Sequence, residues 1–407
     1  MSQLVSSETA RVNKIARLIR GPYAAQLLSL GGSAALTFFS ALFLEPDDRG
    51  LVAVFLALVS VGGYIACFGV QSEILQSAAR GEGAFGVVII RRHVIVQVIF
   101  AGLLGTALVV FKPFQGMSDA LCYWAAAGVL SASIFNNLSW RQYGQGHFFL
   151  STALRGVIPL ATLCGSFVFY LFSGSSAENV AVTYVLLQVV CLVVIVPRDL
   201  FSRLRENVRM RQIYTKAAAY FFCQTESLIL ARTPVIASGI WLPPDITAAI
   251  SISLSLAELQ SSLPQMRSAI SFKEASTSGK SRLSFRQFRS AIFALLPGTV
   301  VVVILSFVAR VFLDAAYSQL PVYVAILSLG VAFQAIAASA INILTTRRSL
   351  DAVIGILFGV IATAGCGLYL FEFGLIIGAL AAWSILVAFG CIVIILLAMR
   401  RRKGRHL

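Results

Sequence analysis

The chain has 407 residues, 58% of them apolar and only 12% charged, with a mean hydropathy of +0.87. Soluble domains carry about a quarter charged residues, so this composition excludes a soluble enzyme and places the chain in a membrane. A formal net charge of +15 would suit a nucleic-acid binder if it were spread over a soluble surface, but its distribution gives it another meaning.

In chain order, residues 8–21 (ETARVNKIARLIRG) come first. They set Val12, Ile15, Ala16 and Ile19 on one helical stripe, with Arg11, Lys14 and Arg17 elsewhere on the surface. That is the pattern of an interfacial helix on the inner leaflet. Apolar runs follow at 23–44, 51–76, 87–110, 119–139, 151–172 and 178–197. A second set lies at 217–241, 246–271, 290–312, 319–344, 352–371 and 374–398. Each is long enough as a helix to cross a hydrocarbon core about 30 Å thick. None shows the strict two-residue alternation of a barrel strand, so the spans are helical. The expected fold is all-α and integral to the membrane, with about twelve transmembrane helices. The first span lacks a small-x-small exit and reads as a retained anchor.

With the N-terminus inside, the 32 Lys and Arg residues all fall on inner segments except Arg49, Lys112 and Arg310 outside and Arg232 within a span. This positive-inside pattern predicts a multi-pass inner-membrane protein with both termini in the cytoplasm. The +15 then becomes attraction for anionic membrane lipids, and nucleic acid is excluded as a partner. Every outer loop is short, leaving no room for the chemistry of an external polymerase or ligase. No Gly-rich phosphate loop with a following Lys-Ser/Thr occurs, and no nucleophile, base and acceptor set converges. The chain is therefore expected not to be an enzyme and to need no cofactor. Cysteines 67, 122, 164, 191, 223, 366 and 391 lie in predicted spans without paired spacing, so neither a disulfide framework nor a metal site is expected. His93, His147 and His406 are scattered toward the inner side and read as loop residues.

The basic segment 198–216 (RDLFSRLRENVRMRQIYTK) sits at the midpoint. It divides the chain into an N-terminal six-helix bundle (1–200), a cytoplasmic linker (201–216) and a C-terminal six-helix bundle (217–407). Sliding one half on the other at an offset of 198 aligns residues 23–47 with 221–245. Seven of those 25 positions are identical: Gln26/Gln224, Ser29/Ser227, Leu30/Leu228, Ser40/Ser238, Leu44/Leu242, Pro46/Pro244 and Asp47/Asp245. The polar and proline matches argue for a duplication. Six spans per half make the repeats parallel, related by an axis along the membrane normal, and such halves rock about a central substrate site.

Several intramembrane polar residues need a reason. Gln26, Ser29, Ser33, Thr37 and Ser40 fall within about 80° of one another on the first span, either as small-residue packing contacts or as a cavity wall. Ser251, Ser255, Glu258, Ser262 and Gln265 make a similar stripe on the eighth. There a mid-span carboxylate, costing at least ~2.5 kcal/mol to insert, favours a water-lined wall. Glu226 and Arg232 share the seventh span about 120° apart, so they are not an i,i+4 pair. Arg232 lies too deep to snorkel and either pairs with Glu258 or Glu226 between helices or binds an anionic head group. A desolvated Glu226 or Glu258 also suits proton exchange. Asn136, Asn137 and Arg155 sit where an inner mouth would be, and Pro159, Pro234, Pro264 and Pro297 would bend their spans.

Two stretches carry a family resemblance. Residues 41–76 (ALFLEPDDRGLVAVFLALVSVGGYIACFGVQSEILQ) pass from an acidic turn and Gly50 to a polar run led by Gly69. They resemble the opening helix pair of polysaccharide-type flippases in the multidrug/oligosaccharidyl-lipid/polysaccharide (MOP) exporter superfamily. Residues 139–163, with Arg141, Gly146 and Arg155, resemble the same family's link between its fourth and fifth spans. The resemblance implies a V-shaped bundle with an alternating central cavity that flips undecaprenyl-pyrophosphate-linked oligosaccharides for surface polysaccharide biosynthesis. It implies that Arg232 and Arg155 hold the pyrophosphate while the polar stripes meet the sugar. Polysaccharide polymerase and glycosyltransferases would then be partners. The drug-exporting branch often carries an Asp in the first span, absent from 23–44. The alternative reading, a cation-coupled exporter of drugs or metabolites, rests on Glu226.

Overall fold

The structure, a computed structural model, describes residues 22–174, 176–196, 209–261, 264, 285–313, 317–346 and 369–399. The described residues form helices and no strands. The N-terminal helices are α1 (Pro22–Ser40), α2 (Pro46–Ile65), the short α3 (Gln71–Ala79), α4 (Gly83–Phe111), α5 (Asp119–Gly144), α6 (Phe148–Ser173) and α7 (Ala177–Ile195). The C-terminal ones are α8 (Met210–Trp241), α9 (Pro244–Leu259), α10 (Phe285–Phe312), α11 (Leu320–Thr346) and α12 (Ile376–Met399). The interfacial segment 8–21 and nearly all of the span expected at 352–371 lie outside the described residues. So does the expected linker up to 208, whose last residues form the first turns of α8.

Among the described residues, 7 helices are long and apolar enough to cross a membrane, and the chain is an all-α, multi-pass membrane protein. Helix α5 is not among them, and α9, with 16 residues, is too short; both carry polar residues for a physical reason. They turn Ser131, Ser133, Asn136 and Asn137, and Thr247, Ser251 and Ser253, toward protein neighbours, where all are buried. The outward faces of α4 (Ile95, Ile99, Leu103) and α10 (Val300, Ile304, Phe307) are exposed and apolar, as lipid requires.

Local sequence explains several helix starts. Pro46 and Pro244 each occupy the first turn of their helix, where a missing N–H is harmless, with Asp47 or Asp245 beside the positive end of the dipole. Ser118 caps α5 by accepting from the Leu121 amide (3.1 Å), and Ser176 caps α7 by accepting from Asn179 (3.3 Å). The span expected at 51–76 is cut in two: α2 stops at Ile65, and the chain turns through Phe68 and Gly69, at φ 46° and 72°. A Cβ on Gly69 would lie 2.5 Å from the Ala217 carbonyl oxygen, so α8 could not approach any other residue this closely.

One buried core packs Phe55, Leu121, Ala125 and Val180 among the N-terminal helices, and another packs Ile250, Leu327, Leu380 and Trp383 among the C-terminal ones. Within a bilayer such packing, rather than removal of apolar surface from water, holds helices together. A close backbone crossing is α1 on α6. A Cβ on Gly32 would stand 2.4 Å from the Gly156 carbonyl oxygen, and one on Gly156 would stand 2.3 Å from that of Leu28. Both obstacles are backbone, which no rotamer change relieves. Gly156→Ala should therefore destabilise the protein by about 3 kcal/mol or more, seen as a lower Tm in detergent; an unchanged Tm would show that the two helices are free to slide.

Two seams join N-terminal to C-terminal helices. At one end α2 meets α9, with Gly50 pressed against Pro244. At the other, Phe68 stacks on Phe221 (5.7 Å between centroids, 14°) and Tyr214 reaches His93. His93, expected in a loop, is instead a fully buried residue of α4. Its Nε2 donates to the Ala66 carbonyl (3.0 Å), so Nδ1 accepts from the Tyr214 hydroxyl (2.9 Å). A neutral imidazole with both nitrogens bonded is at ease in such a place.

Candidate functional site

Between the two seams lies a cavity of ≈ 190 Å³, walled by α1, α2, α6 and α7 on one side and α8 and α9 on the other. Its polar lining includes Ser33, Thr37, Arg155, Arg232, Ser255 and Glu258. The one-stripe readings of the first and eighth spans meet here, since Ser255 Oγ donates to Thr37 Oγ1 across the seam (3.4 Å).

Arg232 and Glu258 form a two-pronged ion pair, Nη1 to Oε1 at 3.0 Å and Nη2 to Oε2 at 3.1 Å. Of the expected partners, Glu258 is therefore the one engaged. The two side chains retain 27% and 21% exposure, because the pair faces the cavity instead of being packed away. Pro234, two residues beyond Arg232, lies inside α8 and removes a backbone donor at this depth. Pro159 likewise lies inside α6, in the cavity wall close to Arg155. Arg155 makes one long hydrogen bond, Nη2 to Asn136 Oδ1 at 3.5 Å, and reaches the same cavity from the N-terminal side. Among the described lining side chains two guanidinium groups thus face one carboxylate, an excess of positive charge in a low-dielectric setting.

Of the predicted site residues, the structure brings Ser33, Arg155, Arg232, Ser255 and Glu258 to one place. Gln26 lies on α1 and Glu226 on α8, with side chains outside the described residues; Ser262 and Gln265 lie outside them altogether. Sequence reasoning missed Tyr184 and Ser60, which complete the wall. It also missed Arg49, counted as a loop cation but in fact buried in the first turn of α2, its Nε donating to the Thr37 carbonyl (3.1 Å). No group of three His, Cys, Asp or Glu side chains that would hold a metal ion occurs among the described residues.

No family model matches the sequence, and no curated protein does. Solved structures do. The eukaryotic MATE transporter AtDTX14 superposes with a TM-score of 0.62 at 16% identity, over 95% of this chain and 96% of that one. The chain shares the MATE transporter fold. A MATE protein in complex with MaL6 gives 0.61 at 14% identity, over 94% and 97% of the two chains. A multidrug resistance MATE family transporter of the MOP superfamily gives 0.57 at 15% in its outward-facing conformation, over 94% and 96%. Identities this low establish the MATE fold alone. The superfamily expected from residues 41–76 and 139–163 is the one to which that multidrug transporter is assigned.

Proposed function

We propose that this chain is an alternating-access transporter that flips a lipid-linked oligosaccharide from the inner to the outer leaflet, gripping its diphosphate with Arg232 and Arg155. The observation that carries this reading is the convergence of those two guanidinium groups, from opposite sides of the seam, on one cavity whose described lining holds a single carboxylate. Guanidinium keeps its charge when buried and matches phosphate oxygens two at a time. A diphosphate bridging both would tie the two sides together, and it would compete with Glu258 for Arg232. The cavity is smaller than the ~300–1,000 Å³ of drug-sized sites. In this conformation it suits a head group, and the sugar needs the seams to part. Solved structures of the same fold in outward- and inward-facing conformations support a cycle in which they do.

A second reading, a cation-coupled exporter, is favoured by Glu258 in the same cavity and by the multidrug transporters that share the fold. A deletion strain separates the two. The flippase reading expects lipid-linked repeat units to build up inside while surface glycan falls, measured by mass spectrometry. Unchanged glycan pools with reduced tolerance of organic cations would instead assign the exporter.

A further inference from the structure

The internal repeat extends into the cavity wall. The offset of 198 that aligns residues 23–47 with 221–245 continues without a gap into α2 and α9, which begin at Pro46 and Pro244. In that register Ala34 corresponds to Arg232, Ala57 to Ser255 and Ser60 to Glu258. All six line the central cavity. Equivalent positions of the two halves therefore look into the same space, yet they are furnished differently. The C-terminal wall carries a charge of each sign and a hydroxyl, while its N-terminal counterpart carries two methyl groups and a hydroxyl. Charge is concentrated on one wall, and the room is left on the other.

The hydrogen bonds sharpen this division. Arg232 and Glu258 hold each other, and Ser255 is bonded to Thr37. Ser60 and Tyr184 also line the cavity, and the described hydrogen bonds engage neither hydroxyl. Tyr184, on α7, is braced by Phe55 edge to face (5.9 Å between centroids, 88°), and the charge of Arg232 acts on it from across the seam. A diphosphate diester carries one negative charge on each phosphate, which Arg232 and Arg155 match. Its remaining oxygens need donors that add no further charge, and hydroxyl groups are such donors. A carboxylate at position 60 would be an acceptor only, and with Glu258 it would cancel both guanidinium groups.

We propose that the diphosphate seats against the N-terminal wall, over Ala34 and Ala57, and takes hydrogen bonds from the Ser60 and Tyr184 hydroxyls. Ser60, standing where the other half has Glu258, then sets the sign of the ligand. This seat rests on the flippase reading and adds to it the residues that select an anion. The test is titration of a fluorescent short-chain prenyl diphosphate, and separately of inorganic pyrophosphate, into the full-length chain in zwitterionic nanodiscs. Tyr184→Phe, which keeps the ring and its contact with Phe55, and Ser60→Ala should each weaken both probes about tenfold. Ser60→Glu should abolish binding of both; if that variant does not fold, the two neutral ones carry the test. Parent-like affinity in Tyr184→Phe and Ser60→Ala, with binding lost in Arg232→Gln, overturns the seat and leaves the flippase reading standing. Weaker binding of the prenyl compound alone also overturns it, because the hydroxyls would then meet another part of the molecule. No binding of either probe by the parent chain defeats the flippase reading, and the seat with it.

Discussion

Arg232→Gln is expected to lower export about 100-fold or more while leaving the chain in the membrane at normal levels. Each hydrogen bond to a charged group contributes about 1.5–3 kcal/mol, and a two-pronged grip on a phosphate supplies two of them. At 1.4 kcal/mol per tenfold, the loss of both reaches at least two decades of affinity. The same substitution strands Glu258, which is one-fifth exposed, at a cost on the order of 1–3 kcal/mol, less than for a dry pair because the cavity reaches it. Glu258→Gln separates the two effects. It removes the competing carboxylate and leaves Arg232 free for an anion, so head-group binding should tighten even though stability falls comparably. Export assays on both variants, normalised to folded protein, check this. Equal loss of export in both would mean that the pair is structural.

Gly50→Ala should hold the Pro46/Pro244 end open. The added Cβ would sit 1.8 Å from the Pro244 carbonyl oxygen and 2.8 Å from its Cα, and the start of α9 has no rotamer with which to yield. Interiors are close-packed enough that the helices must separate or the backbone must distort. Thr247, fully buried at this seam, provides the reporter as Thr247→Cys. With the parent chain as blank, a membrane-impermeant maleimide added from outside should label it about tenfold faster in the alanine background, a shift of ~1.4 kcal/mol toward the open seam. Export should fall with it. Unchanged labelling would show that the seam closes by some other contact.

The spans were legible because the bilayer imposes a length on apolar runs that no other constraint imitates. Their ends shifted where backbone geometry decides: nothing in the hydropathy of 51–76 shows that Phe68 and Gly69 leave the helix, though the Gly-led polar run marks the place. Arg232, Glu258 and Ser255 were legible because ionisable and hydroxyl groups in lipid demand a reason. That Thr37 and Ser255 touch was not, since two stripes so far apart in sequence do not announce which of their members meet. Arg49 was hidden by the rule that explained the other cations, which treats a basic residue near a span end as loop charge. His93 was hidden by its neighbours in the run RRH. Arg91 and Arg92 are exposed, and at 100° per residue the third position turns inward.

The most direct test of the central claim, that the cavity between α1, α2, α6 and α8, α9 holds an anionic head group, is a binding comparison on the purified chain. A fluorescent short-chain prenyl diphosphate and a fluorescent organic cation would each be titrated against the parent, Arg232→Gln and Glu258→Gln. The account predicts binding of the diphosphate, its loss in Arg232→Gln, its retention in Glu258→Gln, and no saturable binding of the cation. Saturable binding of the cation that disappears in Glu258→Gln, with none of the diphosphate, would contradict it.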